Sequence, residues 1–230
     1  MDRNKFLRKS IAAFGTIVAL PTAISACSKS NDEITNIESG ECHLSPSETA
    51  GPFPIKSPAD LARANIISDR TGVALLVTLT VVDQSNSCAS LADVYVDLWH
   101  CDADGNYSQY GGIQMQQTDY TDKNFLRGRQ TTDSNGQVSF ISIFPGWYPS
   151  RAPHIHIEVL DNEENSLRVT QIAFPKEVCD TVYASTGYNG EADTQNESDN
   201  VFANSIEGNM LDSITGNTTD GYTLLKTIVV

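Results

Sequence analysis

At 230 residues and a net charge of −14, the chain is long enough for one sizeable domain and too acidic to present the basic footprint that nucleic acid requires. Its acidic residues are spread without a long run, the pattern of a solvated surface. Five cysteines and only four histidines leave few residues of either type for redox or metal chemistry, so their positions carry information.

The first 27 residues have the layout of an export signal. A basic "MDRNKFLRKS" precedes the apolar "IAAFGTIVALPTAI", a run too short to span a membrane, and the segment ends in "ISAC". That ending resembles a bacterial lipobox, so residues 1–26 are expected to be removed and Cys27 to carry lipid. An ordinary signal peptide with an incidental cysteine is the alternative. Arg3 is followed by Asn4 where a twin-arginine signal has a second arginine, which leaves the export route open. The expected location is outside the cytoplasm, lipid-anchored to a bacterial membrane on its periplasmic or cell-surface side. Residues 27–41 are polar, acidic and free of aromatics, and read as a flexible tether to a domain spanning 42–230.

From Cys42 onward the pattern is β. "VALLVTLTVVD" (73–83), "DVYVDLWHC" (93–101), "QVSFISIF" (137–144), "HIHIEVL" (154–160), "RVTQIAF" (168–174) and "YTLLKTIVV" (222–230) are short, rich in β-branched or aromatic residues, and often alternating. "DADGN", "DSNGQ", "FPGWYP" and "DNEEN" supply turns between them. Helical signal is confined to "SPADLARAN" (57–65) and "PKEVCDTVYAS" (175–185). The expectation is an all-β fold, an antiparallel β-sandwich with long active-site loops and one or two short helices.

In an exported chain the four cysteines after Cys27 suggest two disulfides, with three possible pairings. Cys88–Cys101 is favoured because the two bracket one strand and its preceding loop, which leaves Cys42–Cys179. A four-cysteine zinc site lacks the close spacings such sites use.

"PGWYPSRAPHIHIEV" (145–159) concentrates the unusual residues. On a strand His154 and His156 share one face and can clamp a metal from a rigid element, while Ile155, Ile157 and Val159 face the core. A pair of structural histidines would look the same in isolation. Tyr148 and Arg151 lie just upstream, and Tyr107 follows the "DADG" turn. Phenolate is a hard anionic donor, so two tyrosines with two histidines favour Fe(III) over zinc or copper.

Together "WHCDADGNYSQY", "FLRGRQTTDSNGQVSF", "FPGWYPSRAPHIH" and "TQIAFP" resemble the intradiol ring-cleavage dioxygenases, over a stretch running from "SPSETAGPF" (45–53) to the end of the chain. The resemblance implies a non-haem Fe(III) enzyme that cleaves a catechol between its two hydroxyls with O2, giving a cis,cis-muconate-type diacid. It implies Tyr148 and His156 as axial ligands and Tyr107 and His154 as equatorial ones, with Tyr148 also taking a substrate proton. Arg151 would stabilise negative charge on the reacting ring, and Gln171 would bond near the same carbon or orient a ligand. Gly51, Pro52 and Phe53 match a segment lining the substrate pocket. His100 is expected to be a hydrogen-bonded structural residue and His43 a solvated one. A surface lipoprotein using the same sandwich as a binding module is the alternative. The ring substituents and the oligomeric state stay open.

Overall fold

The computed structural model describes residues 42–230, so the export signal, the tether and Cys27 lie outside the described residues. Among the described residues nine strands form two packed sheets, the sandwich that the sequence predicts, and six of them fall on the expected segments. In the first sheet β1 (Ala74–Asp83) is central. It pairs on one side with β5 (Gln137–Ile143) and the short β2 (Ala89–Ser90), both antiparallel. On its other side lies β9 (Gly221–Val229), and β8 (Ser213–Asn217) forms the outer edge. The β1–β9 pair is parallel, the one exception to the antiparallel pairing of the described strands. The second sheet runs β4 (Arg127–Thr131), β3 (Tyr95–Trp99), β6 (His154–Leu160), β7 (Ser166–Ala173), all antiparallel.

Period-two burial builds the core between the sheets. Leu75, Val77, Leu79 and Val81 of β1 meet Val96 and Leu98 of β3 and Ile155, Ile157 and Val159 of β6, all fully buried. The other face of the second sheet is also covered, by the loops around residues 45–57, 102–125, 145–152 and 196–210. That double covering explains why β3 and β6 read as nearly continuous buried strands.

Three strands escape sequence patterning. The two-residue β2 is too short to show a period, and the β4 segment "RGRQT" and the β8 segment "SITGN" have little apolar alternation. "PKEVCDTVYAS" does hold a helix, α1 (Lys176–Tyr183), but "SPADLARAN" yields only a 3-10 turn at Pro58–Leu61. After it the chain extends along the sheet edges, bridging Ala62 to Arg129 and Asn65 to Ile141. A second short helix, α2 (Ile206–Asn209), lies beside β7.

The cysteine expectation is overturned. The disulfide joins Cys42 to Cys88, while Cys101 and Cys179 are buried free thiols. Cys88 and Cys101 bracket β3 and therefore sit toward its opposite ends, and five residues of strand span about 16 Å, well beyond the roughly 7 Å limit between bridged Cα atoms. Cys42 instead reaches the β1–β2 corner because Ser45 is bonded to Val229 and the Gln84 side chain donates to the Cys42 carbonyl.

Candidate metal centre

Strand β6 sets the first two donors. Its even-numbered residues face away from the core, so His154 and His156 project side by side beneath the covering loops, both buried. His154 Nδ1 lies 2.6 Å from the Ala152 carbonyl. A carbonyl only accepts, so Nδ1 carries the proton and Nε2 presents a lone pair. That Nε2 is 3.1 Å from His156 Nε2 and 3.5 Å from the Tyr107 hydroxyl oxygen. His156 is clamped by Trp99, its cross-strand partner, whose ring stacks at 4.9 Å and 2°. On its other side is Gly51, with φ +70°; a Cβ there would stand 3.0 Å from the imidazole Cε1.

The tyrosines come from two loops that lock together. Asp102 accepts from the amides of Asp104 and Asn106, shaping the turn after β3, and the Gly146 amide donates to the Asp102 carbonyl at 3.1 Å. Gly105, with φ +85°, packs so closely that a Cβ would collide with the Trp147 carbonyl. Tyr107 and Tyr148 thus meet edge to face, 5.8 Å between rings, and Phe53 stacks on Tyr107 at 4.7 Å. Gln116 fixes the Tyr107 backbone by accepting from its amide at 2.6 Å and donating to its carbonyl at 2.9 Å.

Beside this cluster runs a polar chain. Arg151 donates from Nε to Asp199 at 2.8 Å and from Nη2 to Gln171 Oε1 at 2.6 Å, while Gln171 donates to the Thr49 carbonyl at 2.7 Å. Gln171 stands opposite His156 in the β6–β7 register. Asp199 is wholly buried and also accepts from the amides of Ala152 and Val201.

The structure therefore brings together Tyr107, Tyr148, His154, His156, Arg151, Gln171, Gly51 and Phe53; Pro52 is exposed beside them. His100 is buried and bonded to Ser142 and the Cys101 carbonyl, and His43 is exposed, as expected. Sequence reasoning missed Asp199 and Arg127. Asp199 lies 48 residues from Arg151 in a loop without a motif. Arg127 lies inside the quoted "FLRGRQTTDSNGQVSF", whose arginines drew no role.

Burial, the largest cause at each of the four donors, holds them neutral. It takes His154 down to about 3 and His156 well below the usual imidazole range. It lifts Tyr148 to about 12 and holds Tyr107 well above the usual phenol range. The neutral set is awkward on its own. Two imidazole nitrogens face each other with at most one proton between them, and the buried Tyr148 hydroxyl has no hydrogen-bond partner. A cation among the four would take up both nitrogen lone pairs and favour the phenolates. No group of three or more His, Cys, Asp or Glu side chains gathers among the described residues, so zinc-type donor sets give way to a His2Tyr2 set that fits a hard trivalent ion.

The chain is similar to several known proteins. Residues 52–187 match a family model described as "Dioxygenase". Over 113 residues the chain is 33% identical to the protocatechuate 3,4-dioxygenase beta chain of Burkholderia cepacia, covering 45% of this chain and about half, 46%, of that one. An intradiol ring-cleavage dioxygenase from Tetranychus urticae superposes with a TM-score of 0.73 at 31% identity, over 82% of this chain and 94% of that one. A 3-chlorocatechol 1,2-dioxygenase from Rhodococcus opacus 1CP shares the fold at a TM-score of 0.52 and 23% identity, over 80% of this chain and 72% of that one.

Proposed function

The chain belongs to the intradiol ring-cleavage dioxygenases, and from that premise we propose that it uses non-haem Fe(III) to cleave a catechol between its hydroxyls with O2, releasing a cis,cis-muconate-type diacid. The observation carrying this reading is the convergence of two loop phenols and two strand imidazoles within a buried cluster. Bound ferric iron would supply the Lewis acidity that holds both catechol oxygens and the electronic path between the ring and O2.

The protein's own residues do the rest. His154 and His156 hold neutral nitrogen donors rigidly, one through the Ala152 carbonyl and the other between Trp99 and Gly51. Tyr148, as a phenolate in the ferric protein, would accept a catechol proton at its oxygen. Tyr107, pinned by Phe53 and Gln116, stays in position. Arg151 offers its positive edge to the charge that builds on the reacting ring, and Asp199 and Gln171 fix its orientation. Phe53, Trp99 and the tyrosine rings keep the cluster dry.

Export and lipid anchoring through Cys27 complete the proposal. The Cys42–Cys88 disulfide supports an oxidising compartment. The test is oxygen uptake with catechol by ferric-loaded protein, followed by identification of the product. Ring cleavage between the hydroxyls supports the reading. Stoichiometric iron with no turnover on any catechol would instead favour the binding-module alternative.

A further inference from the structure

Strand β4 carries two buried arginines on one face, and they are accommodated in opposite ways. Arg129 meets the Asp97 carboxylate with two parallel bonds of 2.6 and 2.8 Å. Arg127, 0% exposed, has no carboxylate within ion-pair distance among the described residues. Its Nε and Nη2 donate to the Ser108 carbonyl at 3.1 and 2.7 Å, Nε also reaches Ser108 Oγ at 3.0 Å, and Nη1 donates to the Phe53 carbonyl at 3.0 Å. These bonds give each guanidinium nitrogen an acceptor and leave its charge unanswered. An unpaired buried charge is among the costliest features a fold can keep.

What Arg127 faces is aromatic. Its guanidinium carbon lies 5.7 Å from the Tyr107 ring centre and 5.4 Å from that of Tyr110. The same residues that hold it also frame Tyr107: Ser108 is its chain neighbour, and Phe53 stacks on its ring. Arg151, the other cation beside the cluster, already has its counter-charge in Asp199 at 2.8 Å.

We propose that Arg127 is the built-in counter-cation of the Tyr107 phenolate in the ferric protein, a positioning and tuning residue that makes Tyr107 the weaker electron donor of the two tyrosinates. This rests on the Fe(III) reading above. A neutral phenol ring offers the guanidinium only a cation–π contact, whereas a phenolate offers a full charge pair in a dry site. Arg127 thereby draws charge from Tyr107 and stabilises its donor orbital. Tyr148 faces Arg151, whose charge Asp199 already answers, and stays the stronger donor. The two tyrosines, alike in chemistry, would divide into one retained and one displaceable ligand through this asymmetry.

The visible tyrosinate-to-iron absorption reads donor strength directly, independent of turnover. In ferric-loaded protein, Arg127→Gln should move this absorption to longer wavelength, and Arg127→Lys should restore most of the original position. The same Arg127→Gln change made on Tyr107→Phe should leave the residual band in place. A second comparison does not require an Arg127 variant to fold: the band left in Tyr148→Phe, due to Tyr107, should lie at shorter wavelength than the band left in Tyr107→Phe. Coincident or reversed single-tyrosine bands would overturn the Arg127 role while leaving the iron site standing. A ferric-loaded wild-type protein with no tyrosinate band would overturn the Fe(III) reading itself, and the Arg127 role with it.

Discussion

Two neighbouring rows cross the same face of the second sheet, and they treat polar groups differently. In one, Arg129 of β4, Asp97 of β3 and Glu158 of β6 stand in register, with Glu164 closing on Arg129 from the adjoining loop. Its two most buried charges, Arg129 and Asp97, answer each other. Two residues along each strand, about 7 Å away, the row reads Arg127, Trp99, His156, Gln171. Here the guanidinium lacks a carboxylate, and Trp99 Nε1 and His156 Nδ1 are buried without partners. The strands and the face are shared, so the difference lies in the residues and in how deeply each row is covered. A satisfied polar row holds a fold together, while an unsatisfied one in the same sheet costs stability and points to a ligand.

The largest way to separate the rows is to delete a donor from each. His154→Ala should abolish iron retention and turnover while the domain stays folded, checked by metal analysis alongside circular dichroism; full iron content in that variant would break the ligand assignment. Asp97→Ala should do the reverse, leaving Arg129 buried without its main partner. Its cost should be about 3–5 kcal/mol in urea unfolding, with the iron site retained in whatever remains folded.

A finer comparison sets His156 against His100, another buried histidine, which is satisfied at both nitrogens. Burial lowers His100 from 6.5 to about 4. The unfolded chain therefore binds more protons between those values, so this contribution is fully present above pH 6.5 and lost as pH falls toward 4, about 3 kcal/mol in all. Unfolding midpoints measured from pH 7.5 to 4 should fall more steeply in the wild type than in His100→Gln. Asp199→Asn is the mildest change predicted for the site. It should keep the iron and cost about 10- to 100-fold in kcat/KM by loosening Arg151, with the loss falling mainly on kcat.

Much of this architecture is legible in the sequence because it depends on local periodicity. Six of the strands follow from alternation, and His154 and His156 declare a shared face by their spacing alone. The resemblance to the family supplied the partners those histidines need. Features that depend on distant chain returns were not legible. Strand β4 hides because its buried residues are arginines, and Asp199 reaches Arg151 only through the fold. The disulfide misled for a related reason: closeness in sequence across a strand means separation in space, whereas Cys42 and Cys88 meet across 46 residues.

The most direct test of the account is the metal content and visible spectrum of the domain from Cys42 onward, before and after catechol is added without oxygen. The expected result is about one iron per chain, a burgundy colour from tyrosinate–Fe(III), and a band that shifts as catechol binds. A protein that stays colourless after ferric reconstitution would contradict it, because four donors that converge without holding iron cannot support this chemistry.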